Sequence, residues 1–228
     1  MKTLSRFLCI VAICCTFIAC NNGDDDDTAQ TAKKHYYVPI ETIKELFDGN
    51  DIENIYDYAE KNGFEEWTAG SPTNNVYRVG FLKTFDNSTD SLWIDVRYSA
   101  DTIQELSFHV SDINVDNLRD MFITYSNECY LLYPSWEARR RMFLEENDWD
   151  VLFFDNHSSF IERLKKLDLS KDEVIWEECR NIDKIGYVVS LMQIEYIRYE
   201  DLKKSEKEWQ YSSYKFAVGF VKNAEFDE

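Results

Sequence analysis

Apolar positions along this chain change their period several times, and each change predicts an element. Ile40, Ile43, Leu46 and Phe47 recur at helical spacing. Asp48-Gly49-Asn50 interrupts them, and Asn50 with Glu53 forms a capping box that predicts a second helix to about Asn62-Gly63. From Asn75 the period becomes two. Tyr77, Val79, Phe81 and Phe85 share one face of a first strand, and Leu92, Ile94, Val96 and Tyr98 alternate with Ser91, Trp93, Asp95 and Arg97 in a second. Leu106, Phe108 and Val110 line a third, and the turn-rich links at 86–90 and 99–102 predict an antiparallel meander.

The middle of the chain reads as helical. Asp116 heads a helix carrying Leu118, Met121, Phe122 and Tyr125, and a further helix is expected from Ser135 through Ala138 to Glu146. Phe160, Ile161, Leu164 and Leu167 share one helical face; Ser170 with Glu173 forms a second capping box, ahead of a helix through Val174, Ile175 and Cys179. The stretch 148–155 fits either a buried strand or a helix end. Strand periodicity returns over 185–199 and again at Tyr214, Phe216, Val218 and Phe220, with the charged segment 201–208 between them. This order predicts an α+β body over residues 37–228, built of antiparallel β meanders packed with helices. It also admits two diverged helix-then-sheet halves dividing near 113–135.

Composition supports a packed body: 44% of residues are hydrophobic and 15% aromatic, more than a disordered chain contains. Seven Gly and three Pro favour long regular elements. The front of the chain is different. Lys2 and Arg6 precede an uncharged apolar run from Phe7 to Ile18, too short for a membrane-spanning helix, which needs about 20 apolar residues. A basic start, a short apolar run and small residues form a secretory leader. The run closes on Phe17-Ile18-Ala19-Cys20, followed by Asn21-Asn22-Gly23 and Asp24, Asp25, Asp26 and Asp27. This resembles the lipobox and acidic export tract of Bacteroidota lipoproteins, with Phe17 where Leu is usual. The resemblance implies a leader of residues 1–19, a lipid on Cys20 and display on the outer face of the outer membrane. Residues 20–36, polar and without apolar period, then read as a flexible acidic tether.

The charge is lopsided, with 25 Lys and Arg against 43 Asp and Glu, a net −18. Such a field repels nucleic acid and anionic headgroups and favours basic partners; it equally keeps a surface protein soluble. Beyond Cys20 the chain has two cysteines, Cys129 and Cys179. They are read either as a disulfide closing a loop of about 50 residues or as two buried thiols.

Legible catalytic chemistry is scarce. The chain has no G-x-S-x-G elbow, no phosphate-cradling glycine loop and no H-E-x-x-H helix. His35, His109 and His157 are scattered, and Cys129 sits in an apolar run where a thiol is inert. The acidic doublets Glu65-Glu66, Glu145-Glu146 and Glu177-Glu178 fit solvated faces, since helical neighbours point about 100° apart. Asp86–Asp90 has calcium-like alternation, but Ser91 stands where an EF-hand needs Gly and Arg97 where it needs Glu. No cofactor or metal is therefore expected. The aromatic surplus is the better lead: Trp93 on a polar strand face, with Trp67 and Trp209 among charges, are candidate contacts for a glycan or protein ligand. The leading expectation is a lipid-anchored surface protein with a binding role. An inhibitor of a basic toxin, and a hydrolase whose carboxylates converge only in the fold, remain as alternatives.

Overall fold

The computed structural model describes residues 36–73, 75–85, 91–100, 102–112, 115–144, 150–167, 174–196 and 211–223. The expected leader (residues 1–19), Cys20, Asp24–Asp27, Ser170, Glu173 and Trp209 lie outside the described residues. The fold is α+β. Helices α1 (Ile40–Gly49) and α2 (Ile52–Lys61) precede strands β1 (Glu65–Thr73), β2 (Val76–Thr84), β3 (Ser91–Ser99) and β4 (Thr102–Asp112). Then come α3 (Val115–Leu132), β5 (Glu137–Leu144), β6 (Asp150–Phe153), α4 (His157–Lys165), β7 (Val174–Arg180), β8 (Gly186–Tyr196) and β9 (Tyr211–Val221).

All nine strands join one antiparallel sheet in the order β1-β2-β3-β4-β9-β8-β7-β5-β6. The last strand, β9, therefore lies between β4 and β8 and ties the first meander to the later strands. The two stretches either side of 113–135 share one sheet, and α3, which connects them, packs across β4, β8 and β9.

One face of the sheet carries the core. Its inward residues, among them Phe81, Ile94, Val96, Leu106, Phe108, Val189, Phe216 and Phe220, merge into a single buried cluster with Ile43, Phe47 and Ile55 of α1 and α2, Phe122 and Tyr125 of α3, and Phe160 and Leu164 of α4. The Tyr125 hydroxyl donates to Val38 O at 2.7 Å and accepts from Val38 N at 2.9 Å, pinning the chain's entry to α3. Tyr36, at the end of the expected tether, is already buried and meets Phe85 edge-on at 4.9 Å.

Several local expectations need correcting. Asn50 is the C-cap of α1, left-handed at φ 53°, and the N-cap of α2 is Asp51, whose side chain accepts from Glu53 N at 3.0 Å. Asn tolerates the left-handed region, so it ends one helix while the next aspartate starts another. The larger corrections are β5 and β7. Both were expected as helices, from Ser135 and before Val174, and both are strands. Along β5 the inward positions are Ala138, Arg140 and Met142; along β7 they are Ile175, Glu177 and Cys179. Arg140 and Glu177 stand opposite each other in the register, so a charge occupies the middle inward site of each strand and breaks its apolar alternation. The stretch left open at 148–155 contributes β6.

Candidate functional site

Among the described residues every helix packs on the inner face of the sheet and none covers the outer one, whose side chains are set by register. One row runs across seven strands: Leu82, Trp93, His109, Ala217, Ser190, Trp176 and Arg141. The next row reads Asp95, Ser107, Gly219, Val188 and Glu178. Large side chains stand on β3, β4 and β7, while Ser107, Ala217, Gly219 and Ser190 leave the middle low. The result is a trough of about 320 Å³. His109 and Trp176 stand on its two sides, three strand spacings or about 14 Å apart at the backbone.

Gly219 explains why the floor is so low. A Cβ there would lie 2.4 Å from Leu106 O and 2.6 Å from Ser107 Cβ, closer than real contacts allow. The β4 and β9 backbones approach each other at this point as only glycine permits.

The first wall is an aromatic stack. Trp93 lies on His109 with ring centres 5.6 Å apart and planes 17° from parallel, and Lys215 Nζ sits 5.1 Å from the Trp93 ring centre. Ser107 Oγ and His109 Nε2 are hydrogen-bonded at 2.8 Å. Burial, followed by the nearby Lys215 charge, pushes the His109 imidazole down to about 3, so it is neutral at physiological pH. Burial also lowers the Lys215 ammonium, against the opposing pull of Asp95.

Trp176 forms the second wall. Its Nε1 donates to Glu178 Oε2 at 3.2 Å, and Arg141 Nη2 donates to Glu178 Oε1 at 2.5 Å. Unlike Trp93, Trp176 stacks on no other ring among the described residues. Around the rim the acids are paired: Asp95 accepts from Arg78 Nε at 2.8 Å, and Glu105 from Arg97 Nη1 at 3.2 Å.

Of the tryptophans singled out in the sequence, Trp93 stands behind the trough, stacked on the lining residue His109. Trp67 does not: it is 71% exposed on edge strand β1, at a break in the pairing between Glu66 and Thr68. Trp209 lies outside the described residues. Trp176 escaped the sequence reading because its segment was taken as helix, whereas strand alternation through 174–180 would have placed it opposite Glu177 and on the outer face.

The other candidates lie behind the sheet. Cys129 and Cys179 are free, buried thiols. Burial raises both, Cys179 to about 12, so they stay protonated and are poor nucleophiles. Beside them Glu177, wholly buried, accepts from Ser126 Oγ at 2.5 Å, Tyr187 Oη at 3.0 Å and Arg140 Nε at 3.2 Å. Burial raises the Glu177 carboxyl despite these donors. This is a satisfied structural network with no access to solvent. His157, the first residue of α4, stacks on Tyr130 at 4.3 Å and pairs with Asn127 Oδ1 at 2.9 Å. Among the described residues no group of three or more His, Cys, Asp or Glu side chains is placed to hold a metal ion. Compared with protein-family models, curated proteins and solved structures, the chain matches none.

Proposed function

We propose that this protein is a lipid-anchored binding protein of the cell surface whose ligand, a glycan, lies in the trough on the open face of the sheet. The observation that carries the reading is the pairing of Trp176, whose ring stacks on no other among the described residues, with a floor of small residues. A pyranose presents an apolar C–H face that suits an indole and a rim of hydroxyls that suit Ser107 and Ser190. At about 320 Å³ the space is at the small end of ligand sites and fits one or two sugar rings. The leader, Cys20 and Asp24–Asp27 support the address, since a membrane-tethered body at the cell surface meets extracellular glycans first.

Binding is tested by tryptophan fluorescence of the purified protein against a soluble oligosaccharide array. Trp176→Ala is expected to lower affinity for any hit by about tenfold or more, the range of a well-packed aromatic anchor. Hits indifferent to Trp176→Ala would place the ligand elsewhere. Location is tested by protease treatment of intact cells. The protein should be digested, and replacement of Asp24–Asp27 by Ala should protect it; protection of the unaltered protein would sink the surface assignment.

A further inference from the structure

Charge within the trough points to a more specific ligand, and this step rests on the glycan reading above. Of the acids on this face of the sheet, Glu105 lines the trough and Asp95 and Glu178 stand beside it, and the three are ion-paired to Arg97, Arg78 and Arg141 respectively. Lys215 is different. Its ammonium lies over Trp93, and among the described residues no carboxylate comes within ion-pair range of it. Among the described residues that line the trough, Lys215 is the one cation and Glu105 the one acid, and Glu105 is already paired to Arg97.

We infer that the trough binds a sugar carrying a single negative charge, a hexuronate, whose carboxylate pairs with Lys215 while its ring lies against Trp176. Lys215 is on β9 and Trp176 on β7, with β8 between them and an offset of two residues along the strands, so their backbones are separated by about 12 Å. One pyranose ring with its carboxylate bridges that span when the Lys215 side chain swings from its place over Trp93 toward β8. The charge count favours a monoanion. A dianionic phosphate monoester would carry more charge than Lys215, the one cation lining the trough among the described residues, can balance, and would lie beside the Glu105 carboxylate. Lys215 also gains from the pairing, since its ammonium is partly desolvated and an ionic hydrogen bond replaces lost water. Ser107 and Ser190 remain for the hydroxyls.

The test uses the full-length protein with trigalacturonate, a hyaluronan tetrasaccharide and the methyl ester of each, which keeps the rings and removes the charge. Titrations are followed by tryptophan fluorescence and calorimetry. At least one free acid is expected to bind about tenfold or more tighter than its ester, the usual worth of a hydrogen bond to a charged group. Lys215→Met, which keeps the packing on Trp93, should erase that preference, and Lys215→Arg should retain it. Equal binding of acid and ester, unmoved by Lys215→Met, would overturn the uronate inference and leave the glycan trough standing. Acid preference lost in Lys215→Met but insensitive to Trp176→Ala would remove the ring-stacking part of the proposal. Failure of all four ligands to bind overturns the inference; if the neutral oligosaccharide array also fails, the glycan reading falls with it.

Discussion

The two faces of this sheet treat charge in opposite ways. On the inner face the ion pair of Arg140 with Glu177 is buried to 6% and 0% exposure and ringed by Ser126 and Tyr187. Every acceptor of that carboxylate is used, and the pair is sealed under α3. On the outer face the acids are also paired, but at the rim and partly in water, while Lys215 is left over. Complete satisfaction makes the inner pair a structural element. Incomplete satisfaction makes the outer face a place where a partner has something to contribute.

The contrast is broken most severely from the inside. Arg140→Met leaves Glu177 buried without its cation and should cost about 3–5 kcal/mol in urea unfolding, whereas the double variant Arg140→Met, Glu177→Leu should recover most of the loss. A single variant costing under about 1 kcal/mol would show the network to be dispensable. The sign with pH is also set. Burial raises the Glu177 carboxyl above its unfolded value, so the ionised form is the disfavoured one and the Arg140→Met deficit should deepen as pH rises through and above the ordinary carboxylate range.

Next in size is the floor. Gly219→Ala pushes a methyl group toward Leu106 O and should cost about 1–3 kcal/mol, the range for overpacking. A fully stable Gly219→Ala protein would mean that β4 and β9 can part without loss.

The aromatic wall should show itself through pH. His109 titrates at about 3 when folded and near 6.5 when unfolded, so its proton favours the unfolded chain. From pH 6.5 down toward 3 this residue should remove up to about 1.4 kcal/mol of stability per pH unit. His109→Phe keeps a ring against Trp93 and does not titrate, so its stability deficit relative to the parent should shrink on acidification. A deficit constant with pH would contradict a neutral, buried His109. Smallest of all, Trp67→Ser on the exposed edge should move stability by no more than about 0.5 kcal/mol. A large loss would mean that β1 is not the open edge described here.

The same ion pair governs how much of the molecule was legible in the sequence. The meander of β2, β3 and β4 could be read because, Lys83 apart, its inward positions are apolar, and its outward ones, Leu82 and Trp93 apart, are mainly polar or small. Helix α4 was equally plain, its apolar stripe at Phe160, Ile161 and Leu164 being fully buried. In β5 and β7, Arg140 and Glu177 take inward positions only because each neutralises the other across the register. That partnership joins residues 37 apart and leaves no trace in either strand alone. Misreading β7 also hid Trp176, so only one wall of the trough, Trp93, was visible. The floor was hidden for a different reason. Ser107, Ser190, Ala217 and Gly219 are unremarkable small residues until β9 is known to lie between β4 and β8.

That placement of β9 has a consequence for how the molecule must be assembled. The central strand follows the other eight described strands in the chain, and its partner β4 lies about a hundred residues earlier. Until Tyr211–Val221 arrives, β4 and β8 both present unpaired edges in what will become the middle of the sheet. The sheet therefore closes from its centre and at the end, a high-contact-order route that is intrinsically slow. A chain interrupted before Tyr211 would keep two complementary raw edges, a ready template for pairing with its neighbours.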